Sequence, residues 1–131
     1  MVVKPLSIDL DGDRRDFRPG DTIRGRVHWS FADPPRALDL RLFWYTQGKG
    51  DQDVGIARKV RIDAPPPAGS KPFNLIAPSG PYSFSGKLIS LTWALELVSD
   101  PDGQTERTEL VMSPSGREIR LQDLHRNGAP T

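Results

Sequence analysis

The 131-residue sequence contains no cysteine. That excludes a disulfide, a thiolate metal site and a cysteine nucleophile, and it fits a reducing compartment. Histidine is nearly as scarce, with only His28 and His125. His28 falls on the polar face of a strand among arginines and His125 lies near the C-terminal end. Neither has the positioned neighbours that nucleophile–base catalysis needs. No G-x-S-x-G, H-E-x-x-H or P-loop pattern occurs. No apolar run approaches the ~20 residues required to cross a bilayer. The opening Met1-Val2-Val3-Lys4-Pro5 lacks the apolar stretch of a signal peptide. An excess of one charge is missing too: 18 Lys+Arg stand against 17 Asp+Glu, a formal net charge of +1. Global charge therefore gives no argument for nucleic acid or an anionic membrane. An amphipathic helical stripe is also lacking, the best helical candidate being the short 121–126. The expectation is one cytoplasmic domain with no catalytic, cofactor or metal site. Nucleic acid is not expected as a partner, and membrane contact only indirectly.

The sequence is rich in turn formers, with 13 Pro and 12 Gly, and in period-two alternation. In 21–31, Ile23, Val27, Trp29 and Phe31 share one face with Gly25, and Arg24, Arg26, His28 and Ser30 share the other. In 37–46, Leu38, Leu40, Leu42 and Trp44 oppose Asp39, Arg41, Phe43 and Tyr45. Both faces carry apolar residues, so this strand is expected at the centre of a sheet. Residues 54–62 place Val54, Ile56, Val60 and Ile62 on one face, broken by Arg58. A stiff Pro-rich loop, 64–69, follows. Phe73, Leu75 and Ala77 make a short strand. Residues 88–98 are the longest, with Ile89, Leu91, Trp93, Leu95 and Leu97 inward. Asp100-Pro101-Asp102-Gly103 turns the chain into a partner at 105–112. Leu6, Ile8 and Leu10 open the series, and Ile119 and Leu121 end it. This predicts an all-β, immunoglobulin-like sandwich of seven to eight antiparallel strands over 1–121, anchored by Trp29, Trp44 and Trp93. Residues 122–131 read as a flexible C-terminal tail.

Two segments resemble the arrestin family. Pro19-Gly20-Asp21-Thr22-Ile23-Arg24-Gly25-Arg26-Val27 is similar to the family's PGD-x-I-x-G-x-V strand entry. Pro81-Tyr82-Ser83-Phe84-Ser85-Gly86 is similar to its P-x-S-F-x-G turn, which leads into a long core strand. Strand-rich sequence extends the resemblance over about residues 3–121. The resemblance implies an arrestin-like sandwich in which Ser83 ties a turn. It also implies a non-enzymatic adaptor or scaffold that docks on other proteins. Arrestins carry two such sandwiches in tandem, and this length holds one. The Pro-Pro-x-Tyr motif is absent, since Pro34-Pro35 is followed by Arg36 and Ala37. A small bacterial-type member, acting alone or assembling with its own copies, is the expectation.

The candidate contact residues are Arg24, Arg26, Arg61, Gln47, Lys49 and Tyr82. Arg24 and Arg26 share a strand face with His28, and Lys59 and Arg61 share another. Neighbouring strands would merge them into a basic patch for phosphate or acidic peptides. Asp39 and Glu96 would instead neutralise them as cross-strand partners. Gln47 and Lys49 sit in the polar 46–53 tip and Tyr82 in the 79–83 loop, the kind of place where a rigid sandwich carries function. Asp9, Asp11 and Asp13 with Gly12 do not match a calcium loop, which needs its glycine at the sixth position, and Arg14 and Arg15 follow at once. The alternative to a protein partner is a small-ligand or carbohydrate site using Phe43, Trp44 and Tyr45.

Overall fold

Alternation of apolar and polar side chains folds this chain into two stacked sheets. A computed structural model describes residues 4–48, 52–86 and 89–114, with the backbone of 119–120. The strands are β1 (Leu6–Leu10), β2 (Asp16–Phe17), β3 (Thr22–Ser30), β4 (Ala37–Gly48), β5 (Val54–Asp63), β6 (Ala68–Ile76), β7 (Phe84–Ser85), β8 (Ile89–Asp100), β9 (Thr105–Met112) and β10 (Ile119–Arg120). One sheet has the order β1-β3-β6. The larger has the order β10-β7-β8-β4-β5, with β9 also beside β8 and β2 beside β9. Among the described residues the only helical element is the 3-10 turn Asp11–Asp13, and no helix is long and apolar enough to cross a membrane. The 121–126 and 122–131 expectations lie outside the described residues.

The core closes between the sheets. Ile23, Val27 and Trp29 of β3 meet Leu38, Leu40 and Leu42 of β4 and Leu91, Trp93, Leu95 and Leu97 of β8, all buried. Trp29 and Trp93 anchor it as expected, whereas Trp44 is only half-buried at its margin. Both indole N–H groups are satisfied: Trp29 Nε1 donates to the Pro66 carbonyl at 2.9 Å and Trp93 Nε1 to the Pro81 carbonyl at 2.6 Å. A buried donor without an acceptor would cost about 1–3 kcal/mol.

Four strand readings are corrected. Residues 54–62 do not keep one face. The pairing runs Leu42↔Arg58 and then Phe43↔Ile56, so β5 carries an extra residue at Ala57. This bulge inverts the phase. Val60 and Ile62 point to the core, while Val54 and Ile56 are 63% and 56% exposed on the outer face. The short strand at 73–77 begins earlier, at Ala68, within the segment read as a loop. It holds Pro72 because β6 is an edge strand, where a missing N–H breaks no ladder. Ile89 is exposed, because it stands at the first position of β8 opposite Gly48, which offers no side chain to cover it. The pairing is not wholly antiparallel: β2 lies parallel to β9 and β10 parallel to β7. These two-residue strands reach partners distant in sequence, so no hairpin dictates their direction.

The two motif turns behave as their residues require. Gly20 has φ 86°, and Asp21 N–H closes the turn onto the Arg18 carbonyl at 3.0 Å. The Ser83 hydroxyl accepts the Met112 N–H at 2.9 Å, and Ser83 N–H donates to the Met112 carbonyl at 2.7 Å. Ser83 therefore does tie its turn.

Candidate functional site

The outer face of the large sheet follows from its registers. Across β5-β4-β8-β9 the rows run Arg61–Asp39–Val98–Thr105, then Lys59–Arg41–Glu96–Arg107, then Ile56–Phe43–Ala94–Glu109, then Val54–Tyr45–Thr92. Two different environments result.

In the first row Arg61 donates to Asp39 Oδ2 at 3.2 Å, Asp63 Oδ1 at 2.9 Å and Asp100 Oδ2 at 3.2 Å. Arg36 reaches the other oxygen of Asp100 at 2.9 Å. Two guanidiniums are thus held by three carboxylates, a closed ion-pair network. The Arg36 hydrogen bond, joined by that of Arg61, holds the Asp100 carboxyl below its ordinary value. A group depressed in the folded state adds stability above its unfolded pKa and loses it as pH falls through the folded value. Acidification below about pH 4 should therefore lower the melting temperature of the wild type more steeply than that of Asp100→Asn. Melts recorded across the acid limb check this, and parallel slopes would contradict it.

The following rows hold a hollow of about 370 Å³ lined by Arg41, Phe43, Tyr45, Val54, Ile56 and Arg107. Phe43 and Tyr45 stack at 5.9 Å. The Arg107 guanidinium lies 5.1 Å and 5.2 Å from their centroids, fixed by Glu96 Oε2 at 2.9 Å. That carboxylate raises the Arg107 pKa above its ordinary value. The Tyr45 hydroxyl donates to Glu109 at 3.1 Å. The Arg107 guanidinium lies over the Phe43 and Tyr45 rings, so these two do not present a bare platform for a sugar, and Trp44 turns inward against Gly55. Arg41 Nε is buried, and among the described residues nothing accepts its proton.

The six candidates do not form one patch. Arg24 and Arg26 lie on β3 in the small sheet and Arg61 on β5 in the large one, so the strands are not neighbours. Arg24 is exposed beside the Pro19-Gly20 turn, and Arg26 donates to Ser70 Oγ at 3.1 Å. Arg61 is neutralised, with Asp39 as its direct cross-strand partner. Tyr82 is 37% exposed in the loop before β7. Gln47 lines the hollow. Lys49 lies outside the described residues. Sequence reasoning names Lys59 only as a neighbour of Arg61 in the basic patch, and it misses Arg41, Arg107, Val54 and Ile56 as site residues. The Asp100–Gly103 turn held the signal for Arg107, because its hairpin register sets that residue opposite Glu96.

His28 Nε2 lies 2.9 Å from Asp9 Oδ2, with His28 half-buried and Asp9 exposed. Ser7 and Ser70 flank His28 in register, yet the Ser70 hydroxyl accepts from Arg26 instead. This is an open polar ladder and not a cleft. Asp13 pairs with Arg15 at 3.0 Å, and among the described residues no three metal-ligating side chains converge.

No family model matches the sequence, and no curated protein matches it. Among solved structures, superoxide reductase (neelaredoxin) from Ignicoccus hospitalis aligns with a TM-score of 0.44 and 14% identity, over 82% of this chain and 80% of that one. The sporulation control protein Spo0M from Bacillus subtilis aligns with a TM-score of 0.60 and 17% identity, over 86% of this chain and 50% of that one. The chain thus spans half the length of Spo0M. Spo0M has an arrestin-like fold, and the two stacked sheets described above are an arrestin-like β-sandwich.

Proposed function

We propose that this domain is a non-enzymatic adaptor that docks a protein partner on the outer face of its larger sheet. One observation carries the reading. Val54 and Ile56 stand 63% and 56% exposed beside the Phe43–Tyr45 stack, on a face whose other side chains include Lys59 and Arg61 of the same strand and the Arg107–Glu96 pair. An apolar centre with tyrosine and arginine, rimmed by polar groups, has the composition of a protein-contact hot spot. The likeness to a protein named for control of sporulation supports a regulatory role over a catalytic one. Self-assembly through the same face would be one form of this contact.

A photo-cross-linking residue at position 56, introduced in the producing cell, tests it. The expected result is one or a few discrete adducts. They should be absent from a control position at Ser70 on the small sheet and lost when Val54→Glu is added. Equal cross-linking from both positions, or none from position 56, would sink the reading.

A further inference from the structure

The partner's chemistry is written in how unequally the same face treats its cations. Arg36 and Arg61 are met by Asp39, Asp63 and Asp100. In the next row, Lys59, Arg41 and Arg107 share a line with a single carboxylate, Glu96. Glu96 is bound to Arg107 through both Nη2 and Nε, at 2.9 and 3.3 Å. Among the described residues no carboxylate lies within ion-pair distance of Arg41 or Lys59. Arg41 goes further, since its Nε is buried without an acceptor. Arg41 thus brings to the hollow a guanidinium that no described side chain meets, and an incoming anion would supply the missing partner. The adjoining row offers Ile56 and Phe43, and Val54 lies beyond.

We infer that the hollow over β4 and β5 receives an acidic protein segment whose carboxylates lie on Arg41 and Lys59 while an apolar side chain seats against Ile56 and Val54. This rests on the docking reading above and adds the partner's charge and anchor. Arg107 stays with Glu96 and forms the wall over the rings. Arginine suits the carboxylate because its fork donates to two oxygens at once. The rows are two residues, about 6.7 Å, apart along β4, so carboxylate and anchor fall within two or three residues of an extended segment.

Amide spectra of the ¹⁵N-labelled protein test this even at weak affinity. The probes are a short peptide whose leucines are flanked by glutamates, its lysine-for-glutamate isomer, its serine-for-leucine variant, and inorganic phosphate. The expected result is a shift pattern centred on Arg41, Ile56 and Lys59 with the acidic leucine peptide alone. The double variant Arg41→Gln/Lys59→Gln should weaken it about tenfold, a loss of one or two charge-assisted contacts. Arg61→Gln should leave it unchanged. The spectra themselves report that each variant is folded. An equal response to the lysine isomer, a response to phosphate alone, shifts confined to the small sheet, or no response to any probe would each overturn the inference. If cross-linking from position 56 survives while the acidic peptide fails, docking stands and the acidic partner falls. If both fail, both fall.

Discussion

Trp93→Ala lowers the unfolding free energy by about 3–5 kcal/mol, the largest effect expected of any single side chain here. Trp93 has no exposed surface and is flanked in register by Trp44 on β4 and Leu110 on β9. Its removal opens a cavity at the centre of the large sheet. It also strands the Pro81 carbonyl, which its indole N–H reaches at 2.6 Å. That bond holds the loop carrying Ser83, whose hydroxyl binds the end of β9. Core and loop should therefore fail together. Because domain stabilities run to only about 5–15 kcal/mol, the variant should melt about 10–20 °C lower or not accumulate in folded form. Trp93→Phe separates the two contributions: it keeps most of the buried volume and loses the donor, and should cost about 1–3 kcal/mol. Denaturant titrations of the three proteins decide. An alanine variant within about 1 kcal/mol of the wild type would mean the sandwich does not close around this residue.

The strands that could be read from the sequence are those whose two faces meet two different solvents. β3 and β8 alternate because the core lies on one side and the outer face of the sandwich on the other, so Ile23 to Trp29 and Leu91 to Leu97 declare themselves. β4 showed its central place through Phe43 and Tyr45 on its second face. What stayed hidden depends on partners distant in the chain. The bulge at Ala57 is set by how β5 must pair with β4. No local residue announces it, and it sends Val54 and Ile56 to the surface. The first half of β6 is hidden in the sequence because Ser70, Lys71 and Pro72 fit a strand only at a sheet edge. The expected basic patch fails because β3 and β5 belong to different sheets. The cation row requires three registers at once, Arg41 to Lys59, to Glu96 and on to Arg107, so composition alone could not show it.

Gly25→Ala should be the second most damaging substitution, and it tests the small sheet as Trp93 tests the large one. Gly25 pairs with Leu10 on one side and Phe73 on the other, at the centre of β1-β3-β6. A Cβ there would lie 2.2 Å from the Asp9 carbonyl oxygen and 2.9 Å from Phe73 Cζ. The ring can rotate aside, but the carbonyl is backbone and moves only if β1 moves. Overpacking of this kind costs about 1–3 kcal/mol, and a backbone obstacle places this site at the upper end. Gly80 is the control, since a Cβ added there meets nothing within 4 Å. Gly80→Ala should stay within about 0.5 kcal/mol of the wild type. Hydrogen exchange gives the sharper readout: the amides of Leu6–Leu10 should exchange faster in Gly25→Ala while those of β8 keep most of their protection. If β1 stays protected and the melting curve does not move, β1 cannot lie against β3 at Gly25, and the three-stranded sheet must close by another register.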